Sequence, residues 1–315
     1  MKDAASTEER LVGPQFLKGD AEPVMMAYYR TWRDVAMPSD SNTDLPDPNV
    51  IRMTDIPADI DIVSVFHYVR PGTDEQAFWD TLRDDYVPTL HERGQKVVLT
   101  VDYSALLEIQ EETGKDSSTL TTEDYHAFAE KFVAERLTPW NLDGLDIDME
   151  EPNLIENQIK IVANVMKELS EVLEIEEGSD KILIYDTNQE NHALFTEIAP
   201  YISYVFVQAY GRELSSLDKT WDLYKKDISS TQFLFGISYP EEQDHNKWDD
   251  TVGDYEESRA YNYALWQPEG GEKGGLFVYA IDRDGKEYGD DTITATDYSW
   301  TKRLTQTLKE AHAEL

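Results

Sequence analysis

Eight short apolar runs, each followed by polar or helix-patterned chain, constrain the fold more than any other feature of this sequence. They cover residues 24–30, 60–67, 96–103, 142–150, 181–186, 202–210, 232–239 and 275–282. Most are apolar along nearly their whole length, the pattern of strands buried on both faces of a parallel sheet. Helical patterns lie between them. Residues 73–92 repeat Phe78, Leu82, Tyr86 and Leu90 at four-residue steps and are stopped by Gly94. Residues 122–137 open behind Thr121 or Thr122 as a cap, with acids just inside. Residues 155–173 carry a stripe of Ile159, Val162, Val165, Met166, Leu169 and Leu173. Further helical stretches fall near 192–200, 214–227 and 256–266, and 298–313 closes the chain. The alternation predicts an α/β fold, a (β/α)8 TIM barrel, as a single domain over residues 23–315. Residues 1–22 are polar and are expected to form a loosely held arm.

The fourth run carries the chemistry. It ends Asp143-Gly144-Leu145-Asp146-Ile147-Asp148-Met149-Glu150. At a period of two, Asp146, Asp148 and Glu150 share one face of a strand, while Leu145, Ile147 and Met149 share the other. A strand rises about 3.3 Å per residue, so neighbouring acids on that face stand roughly 6.6 Å apart. At an effective dielectric of about 20, two charges at that distance repel by roughly 2.5 kcal/mol. Full ionisation of the row is disfavoured, and a retained proton is what a general acid needs. A solvated acidic edge would not place three large apolar residues on the opposite face. A calcium loop fails on spacing, because it wants a glycine at its sixth position and a distant glutamate.

In a barrel of this kind, active sites gather at the carboxyl ends of the strands. Glu150 is the last residue of its strand, so the acids rise from the interior to the mouth. Other polar or aromatic residues fall at equivalent ends: Tyr29 and Trp32, Asp102 and Tyr103, Asp186 and Asn188, Gln208 and Tyr210, Tyr239, Tyr279 and Asp282. Any one of them serves equally well as a satisfied residue at a strand end. Their convergence from separate parts of the chain is harder to explain without a site. Trp32 and Trp248 are further aromatic candidates for stacking on a ligand, or equally well for burial.

The chain has 64 acidic residues against 28 Lys and Arg, a formal net charge of -36. Such a surface repels phosphate backbones and anionic lipid, so neither nucleic acid nor membrane is expected as a partner. A neutral, hydroxyl-rich substrate is compatible with it, and a charge that simply keeps the protein soluble explains it equally well. There are no cysteines, which excludes disulfides, thiolate nucleophiles and zinc-thiolate sites. No cofactor or metal is called for by the motifs, and a monomer is expected. No apolar run reaches the length of a membrane span. The start Met1-Lys2-Asp3-Ala4 looks like one placed behind a removed export signal, so a secreted or cell-surface bacterial location is expected.

The run from Asp143 to Glu150 resembles the D-G-x-D-x-D-x-E signature of glycoside hydrolase family 18, the chitinases and endo-β-N-acetylglucosaminidases. The resemblance implies retaining hydrolysis without a protein nucleophile, in which the substrate's 2-acetamido oxygen attacks and gives an oxazolinium intermediate. It implies that Glu150 protonates the leaving oxygen and then activates water. Asp148 would accept a hydrogen bond from the acetamido N–H and stabilise developing positive charge, and Asp146 would share a proton with Asp148. Tyr210 would donate to the acetamido oxygen, with Gln208 a second contact to the same sugar. Chitinases typically carry Ser-x-Gly-Gly on strand three, Met-x-Tyr-Asp on strand six and a tryptophan on strand eight. Here those places read Thr100-Val101-Asp102-Tyr103, Gln208-Ala209-Tyr210-Gly211 and Val278-Tyr279-Ala280. Many chitinases insert a small domain between strands seven and eight, and only 35 residues, 240–274, lie there. These departures, with the run from Tyr279 to Gly285, resemble the endo-β-N-acetylglucosaminidases that cut the chitobiose core of N-linked glycans, so N-glycans or glycoproteins are the expected substrates. A chitinase or chitodextrinase, and a catalytically silent glycan-binding barrel, are the competing readings. Silent members usually lack the terminal glutamate, which is present here.

Overall fold

The computed structural model describes residues 22–41, 48–176, 178–188 and 191–314. The expected arm therefore lies, but for its last residue, outside the described residues. Eight parallel strands close into a barrel in sequence order. They are β1 (Val24–Arg30), β2 (Ile62–Phe66), β3 (Lys96–Asp102), β4 (Gly144–Met149), β5 (Ile182–Thr187), β6 (Tyr204–Val207), β7 (Phe233–Ser238) and β8 (Gly275–Tyr279). Each overlaps one of the apolar runs, and β6 is the most shortened, because its polar end residues Gln208 and Tyr210 turn into the mouth.

The helices form the outer layer. The segment after β2 runs from Gln76–Thr81 through a π-helical turn, Leu82–Tyr86, into Val87–Glu92. Pro88 has no N–H for the carbonyl four residues back, and the wider turn absorbs that defect. Phe78, Leu82, Tyr86 and Leu90 are all fully buried. Thr122–Arg136 starts with the expected cap, Thr121 Oγ1 accepting from the Asp124 amide while the Asp124 carboxylate accepts from the Thr121 amide. Glu156–Val172, His192–Ile198, Leu217–Tyr224, Arg259–Leu265 and Ser299–Ala313 follow β4 to β8. The connection after β1 differs. Its described residues hold only the short 3-10 turns Thr31–Arg33 and Met53–Asp55, in keeping with the prolines of that stretch. No described helix is long and apolar enough to cross a membrane.

Two packed layers result. Outward-facing strand residues join the helices in the larger core, while Val24, Met26, Tyr28, Ile62, Val98, Ile184, Phe206, Leu234 and Phe277 plug the barrel. Gly144 shares the inward face with Asp146 and Asp148, and β5 runs so close that a Cβ there would sit 1.8 Å from the Ile182 carbonyl oxygen. Asp143, below it, ties the barrel floor: its Oδ2 accepts from the Val97 amide (2.8 Å) and from His91 Nε2 (2.7 Å).

The clash at Gly144 is with backbone and cannot be relieved by a rotamer change. Gly144→Ala is expected to destabilise the fold by about 2–3 kcal/mol or more, lowering Tm by several degrees. A thermal melt that leaves Tm unchanged would show that β4 and β5 are not held this closely.

Candidate active site

The parity of β4 places three acids in line inside the barrel. Asp146 is fully buried at the bottom, Asp148 is partly exposed above it, and Glu150 is exposed just past the strand end. Asp148 pairs in register with Asp102 of β3 and Asp186 of β5. Asp146 Oδ2 accepts from Thr100 Oγ1 at 2.8 Å, and Thr100 is itself hydrogen-bonded to Ser64. Asp186 Oδ2 accepts from the Tyr28 hydroxyl at 2.9 Å.

Gln208 ties the acids together. Its Nε2 lies 2.9 Å from Glu150 Oε1, 3.1 Å from Asp186 Oδ2 and 3.4 Å from Asp148 Oδ1. With its amino group on the acids, its carbonyl oxygen is left for a donor on a ligand. The Tyr68 hydroxyl approaches Asp148 from the other side, 3.4 Å from Oδ2.

A cavity of about 290 Å³ opens above these groups, lined by Tyr28, Phe66, Asp148, Glu150, Asp186, Gln208, Tyr210, Asn246, Trp248 and Tyr279. A second, of about 340 Å³, adjoins it and shares Phe66, Asn246 and Tyr279, with Arg30, Trp32, Tyr68, Glu241, Glu242, Gln243 and His245 completing its wall. Three acids and five aromatic residues with one amide each from Gln208 and Asn246 make a lining suited to a neutral, hydroxyl-bearing ring.

The charges in this pit are strongly perturbed. Burial pushes the Asp146 carboxyl up to about 7, against the hydrogen bonds from Thr100 and Tyr28 that pull it down. Burial, then the charges of Glu150, Asp146 and Asp102, raise Asp148 well above the carboxylate range, and a hydrogen bond to Glu150 adds to the rise. Within the row, burial favours the proton on the two deeper acids, Asp146 and Asp148. Burial also keeps the Tyr210 and Tyr28 hydroxyls protonated as donors.

Of the expected site residues, Glu150, Asp148, Asp186, Gln208, Tyr210 and Tyr279 meet in the first cavity. Asp146 lies beneath it, and Trp32 lines the second. Four do not line either. Tyr29 faces the helices, its hydroxyl on Asp34 at 2.5 Å, because strand parity gives the interior to Tyr28. Tyr239 likewise points outward, to Thr301 at 2.8 Å. Asn188 follows the end of β5, where alternation no longer holds, and its carbonyl accepts from Arg212 at 2.7 Å. Asp102 stays exposed at the rim and caps the next turn through the Ser104 amide, 2.8 Å away. Tyr28 and Phe66, which strand parity could have found, and Asn246, which no local signal marks, take their places.

A family model, the endo-β-N-acetylglucosaminidase EndoS TIM-barrel domain, matches residues 27–278. The chain belongs to this family of glycoside hydrolase barrels. It is 39% identical over 290 residues to an endo-β-N-acetylglucosaminidase of Bifidobacterium longum subsp. infantis, covering 88% of this chain and 52% of that protein. It is 38% identical over 294 residues to endo-β-N-acetylglucosaminidase F2 of Elizabethkingia meningoseptica, covering 91% of this chain and 82% of that one. The chain thus spans about half the length of the first relative. Among solved structures, a mutant endo-β-N-acetylglucosaminidase from Cordyceps militaris, crystallised with fucosyl-N-acetylglucosamine-Asn, superposes with a TM-score of 0.79 at 38% identity over 92% of both chains.

The raised Asp146 sets a pH dependence. Its folded value of about 7 exceeds the unfolded value of about 3.9. Between about pH 4 and 7 the unfolded chain loses this proton first, so this group's contribution to stability falls as pH rises and levels off above about 7. Asp146→Asn removes that loss. Its Tm relative to the wild type is expected to climb as pH is raised from about 5 to 8, and a constant difference in paired melts would refute the protonated Asp146.

Proposed function

We propose that the chain is an endo-β-N-acetylglucosaminidase that hydrolyses the β-1,4 bond between the two core GlcNAc residues of N-linked glycans, with retention and through an oxazolinium intermediate. The observation that carries this reading is the convergence of Asp148, Glu150, Gln208 and Tyr210 on one cavity, where Gln208 Nε2 bridges Asp148 and Glu150. The ligand of the Cordyceps protein supports the choice of bond, since one N-acetylglucosamine on asparagine is what such a cut leaves behind.

The geometry gives the proton a route. When the acetamido N–H of the substrate donates to Asp148, the ionised form of Asp148 is favoured. The proton it shares with Glu150 then moves to Glu150. That transfer arms Glu150 as the acid at the moment the sugar is in place. Glu150 gives the proton to the glycosidic oxygen as the C–O bond breaks, while the acetamido oxygen, oriented by the Tyr210 hydroxyl, bonds to the anomeric carbon. Asp148, now charged, stabilises the oxazolinium cation. Glu150 as conjugate base takes a proton from water, which opens the ring and restores the acetamido group. Trp248 and Tyr210, ring centroids 6.2 Å apart, offer an apolar surface to the sugar face.

Incubation with a glycoprotein bearing defined N-glycans, and weighing of both products, tests the reading. A single GlcNAc left on asparagine is expected. Release of short GlcNAc oligomers from chitin with no action on the glycoprotein would favour the chitinase reading instead. Glu150→Gln is expected to lower kcat by about 10²–10⁴-fold, the usual worth of general acid–base catalysis, while binding of the glycan persists. Full hydrolysis by that variant would overturn the acid–base assignment.

A further inference from the structure

The proposed reaction needs Asp148 to become an anion as charge develops on the sugar, and a carboxylate has two oxygens that accept. The acetamido N–H supplies one donor. Gln208 Nε2 stands 3.4 Å from Asp148 Oδ1 but lies nearer to Glu150 and Asp186, so little of it is committed to Asp148. The neighbouring strand β3 supplies no donor to Asp148 among the described residues: Thr100 is bonded to Asp146, and Asp102 turns to the Ser104 amide. Tyr68 reaches over the end of β3. Its hydroxyl stands 3.4 Å from Asp148 Oδ2, and Asp148 is its only hydrogen-bond partner among the described residues.

The sequence accounts for that reach. On β2, Ile62, Ser64 and Phe66 face the interior, and the same parity carries past the strand end to Tyr68. The Tyr68 ring packs on Phe66 with centroids 4.6 Å apart, and Phe66 is held in turn by Tyr28 and Tyr279. The ring therefore lines the second cavity while the hydroxyl touches an acid of the first. Burial, then the charges of Asp148, Asp102 and Asp146, push this phenol well above its ordinary value, so it stays a neutral donor.

We propose that Tyr68 is a positioning residue whose hydroxyl donates to Asp148 Oδ2 and stabilises that carboxylate when it ionises beside the oxazolinium, a role that rests on the endoglycosidase reading. A contact of 3.4 Å is long for a neutral pair. It shortens as charge collects on the acceptor, since hydrogen bonds to an anion are shorter and stronger. The other groups that face Asp148 are acidic or neutral: Asp146 and Glu150 from its own strand, Asp102 from β3, Asp186 from β5, Gln208 and Tyr210 from the end of β6. None brings a positive charge, so a neutral hydroxyl is what the pit offers to the anion.

Tyr68→Phe keeps the ring on Phe66 and removes only the hydroxyl. It is expected to lower kcat on a glycoprotein N-glycan by about 10–10²-fold, the usual worth of a donor to a charged group. KM changes little, because the ionised Asp148 belongs to the transition state. The basic limb of kcat/KM, where the proton shared by Asp148 and Glu150 is lost, is expected to move up by about half a unit to one unit, because a donor that favours the charged form is gone. A ring that only packs would leave Tyr68→Phe like the wild type and damage only Tyr68→Ala, and that result would overturn the proposal. A measurement without turnover separates this from the functional reading. In protein labelled with ¹³C at the aspartate carboxyls, the Asp148 resonance is identified by its loss in Asp148→Asn. Its titration midpoint is expected to lie higher in Tyr68→Phe than in the wild type, by the same amount as the basic limb. An unchanged midpoint would refute the donor role even if the enzyme cleaves N-glycans. A raised midpoint in a protein that leaves N-glycans intact would sink the functional reading and leave the Tyr68–Asp148 contact standing.

Discussion

Four carboxyl groups, Asp146, Asp148, Asp186 and Glu150, are gathered inside or at the mouth of one barrel with no cation lining the cavity between them among the described residues. Burying so many acids is unfavourable unless most are neutral. The barrel meets this with protons and neutral donors. Thr100, Tyr28 and Gln208 satisfy one oxygen of each buried aspartate at 2.8–3.1 Å, and burial keeps protons on Asp146, Asp148 and Asp186. An arginine in the pit would have satisfied the same acids more strongly. It would also have fixed them as anions, leaving no proton to pass to a substrate.

An arginine does stand nearby, and its pairing explains why it does not do this. Arg30 at the top of β1 is 1% exposed and forks onto Asp282, with Nε–Oδ1 at 2.9 Å and Nη2–Oδ2 at 2.5 Å. Its Nη1 reaches Glu241 at 2.7 Å and Glu242 at 2.9 Å. Burial alone would raise Glu242, but Arg30 and Arg33 hold it down to about 2. Every donor edge of Arg30 is thus taken by acids from the β7 and β8 ends. Glu241 in turn accepts from the Asn246 side chain, and Asn246 lines both cavities. The network fixes the loop after β7 over the mouth while keeping its positive charge off the acids of the pit.

Strand parity explains what could be read from the chain and what could not. Leu145, Ile147 and Met149 against Asp146, Asp148 and Glu150 declare which face of β4 is the interior, and the structure keeps that assignment to the last residue. Gln208 and Tyr210 were legible for the same reason, since alternation carries past the end of β6. On β1 and β7 the residues are apolar or aromatic on both faces, so Tyr29 and Tyr239 had no local mark of their outward direction. Counting back through Met26 and Val24 would have given the interior to Tyr28. Asn246 is different in kind. It is brought in by Glu241 and Arg30, from parts of the chain 211 residues apart, and no periodicity encodes such a contact.

The departure at Gly211 shows how the branch of the family is written into packing. Chitinases typically follow the strand-six tyrosine with aspartate, and this chain has glycine. Gly211 has φ +68°, a conformation that a side chain resists. A Cβ there would also meet the Trp248 ring at 3.0 Å. Asp250 holds the place from below, accepting from the Gly211 amide at 3.0 Å, the Ser238 amide at 2.9 Å and Arg259 at 2.9 Å. Glycine at this point therefore lets Trp248 come down beside Tyr210 and wall the cavity. A fourth acid of the pit, Asp186, sits on β5, one strand from Asp148 and within reach of Gln208. The strand-six motif and the β7 loop are one device: glycine at 211 leaves the space that the Trp248 ring fills.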